Sequence, residues 1–186
     1  MDKIRYEDLL TIQEDMYKEK IPDEVLELFK HNSPPNHYRF LYLFVKKYQP
    51  EVIVELGTHW GISASAMAKG NPKATVHTID IQKYDKHFNN DSNIKEYLGS
   101  SIDVDIVKQI PNQIELLFSD SGHSYELTVD EYWDYLPKMK DGGVIFFDDI
   151  FSAEGTKIFW DNLDVEKIVL YDVHLEFGFG AVIVRK

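Results

Sequence analysis

The sequence predicts an α/β fold with a seven-stranded, mostly parallel sheet and helices on both faces. Short apolar runs recur along the chain, and most gaps between them are long enough to hold a helix. This alternation favours parallel strands joined by right-handed crossovers. The predicted strands are residues 52–56, 75–80, 94–98, 114–119, 143–148, 167–171 and 181–185.

The last two predicted strands are joined differently from the others. The connecting segment, DVHLEFGFG at 172–180, is too short for a crossover helix and contains two glycines. Parallel neighbours need a long crossover, whereas antiparallel neighbours do not. We therefore expect strands six and seven to pair as an antiparallel hairpin.

The N-terminal region precedes the first strand and is charged and helical in pattern. An apolar stripe at Leu9, Leu10, Ile12 and Met16 predicts one helix, and Pro22 with Asp23 begins a second that ends at Phe29. The segment HNSPPNH interrupts helix, and apolar residues from Tyr38 to Tyr48 recur at helical spacing. We expect residues 1–35 to form a helical cap on the same domain as residues 36–186.

Composition limits the kinds of partner. The 186 residues suit one domain, and 20 basic against 32 acidic residues give a net charge of −12. That charge repels nucleic acid and anionic membrane surfaces, so a small-molecule substrate is expected. The absence of cysteine excludes disulfides and thiolate metal sites. With no signal-peptide pattern and no apolar run of about 18 residues, the predicted location is the cytoplasm. A homodimer through the N-terminal helices is an open alternative to a monomer.

The most informative segment is VIVELGTHWGISASAM at 52–67. A β-branched run ends at Glu55, and Gly57 and Gly61 enclose a turn that contains Thr58 and leads into a small-residue helix start at Ser63. Glycine lets the backbone approach a ligand, and a helix N-terminus offers N–H groups to an anion. The spacing Glu-x-Gly-x-x-x-Gly places a histidine where a dinucleotide fingerprint has its middle glycine. A structural strand-to-helix turn is the alternative to a ligand site.

This segment resembles the first motif of class I S-adenosylmethionine (SAM)-dependent methyltransferases, within the catechol O-methyltransferase-like group and its small bacterial relatives. The resemblance covers residues 36–186 and implies a Rossmann-like sheet whose seventh strand lies beside the fifth. It also implies that Glu55 attracts the ammonium of SAM and that the turn binds its carboxylate. These interactions suit a cofactor with a methionine part and no phosphate.

Further cofactor contacts are expected after strands two and three. Asp80 ends strand two, where a carboxylate can accept both ribose hydroxyls, and the family uses this acid in that role. Ile81 could pack on the adenine, although an apolar residue there is more often part of the core. Gly99, Ser100 and Ser101 resemble the family's Gly-x-Ser turn at the adenine, with Ser101 as the expected contact.

Acids also follow strands four and five, at Asp120, Asp148 and Asp149, and Asp120 is expected to contact the cofactor as well. Carboxyl ends of neighbouring parallel strands share one sheet edge, so these charges need neutralisation by protons or by a divalent cation. Catechol-type relatives bind Mg²⁺ through acids at such positions, so the resemblance implies a metal site at these three residues. The alternative is that Asp149 caps the following helix.

His123 is the expected catalytic base. The segment FSDSGHSYE at 118–126 resembles a pattern of the bacterial relatives in which Gly122 here replaces a second aspartate. His123 follows Asp120 by three residues, and a neutral imidazole is a suitable base near pH 7. The alternative is that His123 orients its loop while Ser124 caps the next helix. His77, His87 and His174 lack metal-ligand spacing and are not assigned a role.

These features predict an O-methyltransferase that acts on a hydroxyl of a small molecule such as a sugar, a polyketide or a catechol-like phenol. In the leading version Asp120 and His123 take part in catalysis, assisted by Mg²⁺. Two alternatives remain open at this point: a metal-independent enzyme that uses His123 alone, and a non-catalytic accessory protein that binds the cofactor.

Overall fold

A computed structural model of the chain describes residues 4–30, 36–84 and 91–186. Its centre is a seven-stranded sheet with the order β3-β2-β1-β4-β5-β7-β6. The strands are β1 (Val52–Leu56), β2 (Thr75–Asp80), β3 (Ile94–Leu98), β4 (Ile114–Ser119), β5 (Met139–Asp148), β6 (Lys167–Val169) and β7 (Phe179–Ile183). The first five strands run parallel, and β7 pairs antiparallel with both β5 and β6. The predicted α/β architecture and its terminal hairpin are confirmed.

Seven α-helices surround the sheet in the described part of the chain. They are α1 (Tyr6–Asp15), α2 (Asp23–Phe29), α3 (Asn36–Tyr48), α4 (Ile62–Gly70), α5 (Val104–Gln109), α6 (Tyr125–Tyr135) and α7 (Glu154–Asn162). A short 3₁₀ turn, Leu136–Lys138, follows α6. None of the described helices is long and apolar enough to cross a lipid bilayer.

The two faces of the sheet carry separate apolar clusters. Along β1, Ile53 packs in one cluster, whereas Val54 and Leu56 pack in the other. Successive strand residues point to opposite faces, and a parallel sheet covered on both sides therefore needs an unbroken apolar run. Apolar side chains of α1, α2, α3 and α4 fill the first cluster, and those of α6 and α7 fill the second. The N-terminal helices thus share a core with the sheet.

Three strands differ from the sequence prediction at four ends, one of which is the end of β7 at Ile183, two residues early. β5 begins four residues early, at Met139, and β6 ends two residues early, at Val169. β7 begins at Phe179 and includes Gly180, which had been assigned to the turn. A Cβ on Gly180 would lie 2.6 Å from the Trp160 ring. This glycine therefore lets the ring pack against the strand.

Two predictions concern residues outside the described ranges. His87 lies between the described residues 84 and 91, and most of the HNSPPNH segment lies between residues 30 and 36. The helix predicted after that segment begins at Asn36, two residues earlier than the Tyr38 expected from the apolar spacing.

Candidate functional site

A cavity of about 400 Å³ lies beyond the carboxyl ends of the central strands. Ligands of open α/β sheets bind at this edge. Its walls come from three loops, after β1, β2 and β3, and from the loop after β4. The lining residues are Tyr38, Gly57–Ser63, Ile79–Ile81, Tyr84, Gly99–Ser101, Asp120–His123 and Leu127. We call the wall after β1, β2 and β3 the cofactor side, and the wall after β4 together with the adjacent loop after β5, which contacts it through Asp149, the acid side.

The loop after β1 is held in a tight turn by two left-handed glycines. Gly57 has φ +97°, and a Cβ there would lie 1.9 Å from the backbone oxygen of Asp120. Gly61 has φ +74° and precedes α4, whose second residue, Ser63, is buried at the cavity wall. Gly57 therefore allows the close approach of another protein segment, whereas the sequence prediction had reserved that space for a ligand.

Glu55 is fully buried and does not line the cavity. It pairs with Thr78 across the β1–β2 ladder, and its carboxylate accepts a hydrogen bond from the Thr78 hydroxyl. The Thr78 hydroxyl also contacts that of Thr58, at 2.6 Å. Cross-strand partners point to the same face of a sheet, which explains this bond. In this arrangement Glu55 supports the loop from below, and its contact with a cofactor ammonium stays a prediction.

Asp80 fixes both the loop after β1 and its own loop. One carboxylate oxygen accepts the His59 backbone N–H at 2.8 Å, and the other accepts the Gln82 N–H at 2.9 Å. Each oxygen retains a second lone pair for a hydroxyl donor. Ile81, beside it, is 78% exposed at the cavity wall, so the alternative that it belongs to the core is wrong, and its contact with the adenine stays a prediction.

The turn after β3 is tied to α6 by a buried acid that the sequence analysis missed. Gly99, Ser100 and Ser101 all line the cavity. The Ser101 and Ser121 hydroxyls both donate to Glu131, and the Tyr135 hydroxyl donates to the Ser101 carbonyl at 2.9 Å. Burial raises the pKa of Glu131 above its ordinary value. Its position on an aromatic helix face was the available signal, because a lone acid there needs partners.

The acid side brings Asp120, His123 and Asp149 together. His123 Nε2 lies 3.7 Å from Asp120 Oδ1 and 3.4 Å from Asp149 Oδ2. Burial raises the pKa of Asp120, and the charges of Asp148 and Asp149 raise it further. Burial and Asp148 also raise the pKa of Asp149. Crowded carboxylates of this kind favour a proton or another cation between them.

His123 is positioned by its neighbours on both sides. It has φ +55° and directly precedes Ser124, whose hydroxyl caps α6 by accepting the Leu127 N–H. The expected cap at Ser124 is therefore present. The Nδ1 atom of His123 lies 3.4 Å from the Thr156 hydroxyl of α7. A Cβ on Gly155 would lie 2.4 Å from the His123 carbonyl oxygen, so that glycine lets α7 approach the loop.

Asp148 departs from the predicted metal set. Its carboxylate contacts His174 Nδ1 at 2.7 Å, although the sequence gave His174 no role. Of the described side chains, one set of three brings its metal-ligating atoms within 4.8 Å of one another: His37, Asp148 and His174. Asp120, Asp148 and Asp149 do not form such a set. Adjacent residues at a strand end point in different directions, which separates Asp148 from Asp149.

The alternative explanation for Asp149 is wrong. Helix α7 begins after Ala153, which has no side-chain cap, so Asp149 does not cap it. Asp149 instead has φ +57° and faces His123. A non-glycine residue in this conformation is strained, and such strain is concentrated at functional sites.

Comparison with known proteins identifies relatives at the level of family and fold. The family model of a methyltransferase domain matches residues 54–150. An uncharacterized protein of Acanthamoeba polyphaga mimivirus, R132, is 29% identical over 110 residues, which are 52% of this chain and 50% of that protein. The chain therefore matches about half the length of this curated relative.

Two solved structures share the fold over nearly the whole chain. An O-methyltransferase from Bacillus cereus in complex with SAH has a TM-score of 0.70 and 18% identity, with 96% of this chain and 99% of that chain covered. TomG, an O-methyltransferase from Streptomyces achromogenes in complex with SAM, has a TM-score of 0.63 and 16% identity, with both chains fully covered.

Proposed function

Since this chain belongs to the methyltransferase-domain family, we propose that it transfers the methyl group of SAM to a hydroxyl of a small molecule. The observation that carries the proposal is the position of His123. The cavity that would receive the cofactor ends at His123, which lies between Asp120 and Asp149. A donor site and a base thus face the same space.

The cofactor side has groups that suit each part of SAM. The first backbone N–H groups of α4, at Ile62 and Ser63, suit the carboxylate, whereas those of Gly57, His59 and Gly61 already donate within the protein. Asp80 suits the ribose hydroxyls, and the exposed Ile81 suits a face of the adenine. Ser101, held by Glu131, lies at the far wall beyond Gly99. The B. cereus and S. achromogenes structures contain SAH and SAM, which supports the same ligand here.

On the acid side, the chain supplies alignment and a proton acceptor. SAM brings a sulfonium that already activates its methyl group. The acceptor oxygen attacks that methyl, the S–CH₃ bond breaks as the O–CH₃ bond forms, and the hydroxyl proton moves to His123 Nε2. The resulting imidazolium would be stabilised by the adjacent Asp120 and Asp149 carboxylates. Both carboxylate oxygens lie beyond ordinary hydrogen-bond length from Nε2, so this nitrogen is available to accept the proton of a hydroxyl.

A magnesium-assisted version of the reaction is the second candidate. The raised pKa values of Asp120 and Asp149 favour it, because a cation would relieve the same crowding that a proton relieves. Asp120 and Asp149 would hold the ion, without Asp148, which contacts His174. When bound, Mg²⁺ would lower the pKa of the acceptor hydroxyl.

Charge and size favour a small, non-polyanionic acceptor, such as a sugar, a polyketide or a catechol-like phenol. The net charge of −12 repels polyanions. We retain the cytoplasm as the proposed location and a homodimer as an open alternative to a monomer.

Transfer of a labelled methyl group from SAM to a panel of hydroxylated acceptors tests this function. The assay is run with Mg²⁺ and, separately, with excess chelator. Turnover with chelator supports His123 acting alone, whereas turnover only with Mg²⁺ supports the assisted version. SAM binding without turnover on any acceptor would instead support a non-catalytic accessory protein.

A further inference from the structure

A second polar cluster lies behind the acid side, on the β5–β7 half of the sheet. It joins three elements: His37 from the start of α3, Asp148 from the end of β5, and His174 from the loop between β6 and β7. These side chains belong to residues that are 5%, 4% and 7% exposed. We propose that His37, Asp148 and His174 form a binding site for a divalent transition-metal ion such as Zn²⁺.

The geometry brings one ligand atom from each residue into a common space. The three atoms lie within 4.8 Å of one another, and His174 Nδ1 is 2.7 Å from Asp148 Oδ1. Zinc–nitrogen and zinc–oxygen bonds are about 2.0–2.2 Å long. Ligand atoms around one ion are therefore somewhat over 3 Å apart, a spacing that small side-chain rotations would produce.

His37 provides an independent indication that a ligand is missing. Its Nδ1 is buried and has no hydrogen-bond partner among the described residues. A buried polar atom without a partner costs about 1–3 kcal/mol, so such atoms are rare in native proteins. Burial lowers the pKa of His37 to about 4. The imidazole is consequently neutral at physiological pH, which is the form that ligates metals.

The donor set selects the class of ion. Two imidazole nitrogens and one carboxylate oxygen suit Zn²⁺, Fe²⁺, Co²⁺ or Ni²⁺, whereas Mg²⁺ prefers oxygen ligands throughout. Three protein ligands leave a coordination position for water or another molecule. The site is distinct from a magnesium site at Asp120 and Asp149, because its nitrogen ligands come from α3 and from the loop after β6.

Binding there would attach the loop that holds His174 to α3 and β5. The His37 and His174 rings are already 4.7 Å apart, and His174 stacks on Phe177 with the ring centroids 4.6 Å apart. The Gly178 N–H donates to the His174 carbonyl at 2.7 Å. An ion would stabilise this packing and would fix Asp148, the residue next to Asp149. The proposal does not depend on methyl transfer.

Calorimetric titration of untagged, chelator-treated protein with Zn²⁺ alone tests the site. We expect saturable binding of one ion per chain, accompanied by proton release as the His174–Asp148 contact is replaced. His37→Phe and His174→Phe keep a ring but lose the nitrogen, and each should weaken Zn²⁺ affinity at least tenfold. His77→Phe, which removes a buried histidine on β2, is the matched control and should bind Zn²⁺ as the wild type does.

Several outcomes would overturn the proposal. They are the absence of saturable binding up to about 1 mM Zn²⁺, unchanged affinity in both phenylalanine variants, and loss of binding in Asp120→Asn/Asp149→Asn with retention in His37→Phe. If a variant fails to fold, X-ray absorption of the zinc-loaded wild type decides. Two imidazole ligands would support the site, and a shell without imidazole would contradict it. SAM titration of the chelated protein tests the methyltransferase function separately.

Discussion

The cofactor side and the acid side of the cavity are built in different ways. On the cofactor side, Asp80 accepts backbone N–H groups of His59 and Gln82, so a carboxylate organises main chain. On the acid side, Asp120 and Asp149 face each other across His123, and their pKa values are raised. Backbone donors position a ligand, whereas side chains with shifted pKa values can move protons. This contrast is the basis for proposing that the cofactor side binds SAM and that the acid side carries the chemistry.

The largest expected effect comes from removing the base on the acid side. His123→Ala should lower kcat about 10²- to 10⁴-fold, the range typical of general base catalysis. SAM affinity measured by calorimetry should change little, because the residues proposed to bind the cofactor are retained. His59→Ala, on the cofactor side, is the comparison variant and should retain more of kcat. Equal losses of kcat in the two variants would contradict the proposal that the acid side carries the chemistry and the cofactor side binds SAM.

The next prediction tests the contact between the loop after β1, on the cofactor side, and the loop after β4, on the acid side. Gly57→Ala places a methyl group 1.9 Å from the Asp120 backbone oxygen, at a residue with φ +97°. We expect the free energy of unfolding to fall by about 2–4 kcal/mol, as for other severe steric and backbone conflicts. Urea denaturation measures it. Gly142→Ala has a similar φ of +78° but nearest contact at 3.8 Å, so it should cost less. A Gly57→Ala protein as stable as the wild type would contradict the observed packing.

A smaller effect is expected from Asp80, the acid proposed to bind the ribose. Asp80→Ala should weaken SAM binding at least tenfold, or about 1.4 kcal/mol, because the loop and the proposed hydroxyl contacts both lose their acceptor. The measurement is calorimetric titration. Asp91→Ala, which removes an acid bonded to Ser65 and Lys69 away from the cavity, is the control. If both variants bind SAM as the wild type does, Asp80 has no role in cofactor recognition.

The last prediction concerns a buried histidine outside both sides. Burial, with a smaller contribution from Lys95, lowers the pKa of His77 to about 4. The unfolded chain therefore binds this proton near pH 6.5, while the folded chain does so only near pH 4. Stability is retained above pH 6.5 and lost as the pH falls towards 4, by at most about 1.4 kcal/mol per pH unit. His77→Gln should show a shallower decline in urea denaturation between pH 7 and pH 5. A slope identical to that of the wild type would mean that His77 is not buried as a neutral group.

The cofactor side was more predictable from sequence than the acid side. The positions of Gly57, Gly61 and Asp80 follow from strand ends and turn residues, which are local properties of the chain. The Asp148–His174 contact joins residues 26 apart, with α7 and β6 between them in the chain, and His37 reaches it from α3. The local sequence pattern does not predict contacts between side chains that are so far apart in the chain. Glu55 shows the same limit, because its partner Thr78 is set by the register of two strands.

The way in which α6 and α7 position His123 and Glu131 also depends on tertiary packing. Ser124 was recognisable as a cap from sequence, but the close approach of Gly155 to His123 depends on how α7 lies against α6. Glu131 was overlooked because its helix face carries aromatic residues that satisfy a packing pattern on their own. In both cases the decisive partner lies on another element.

Calorimetric titration of the chelator-treated wild-type chain with SAM tests the central claim most directly, namely that the cavity beside His123 is a methyl-donor site. We predict saturable binding of one SAM per chain in the absence of any metal. The absence of saturable heat up to about 1 mM SAM would contradict the claim.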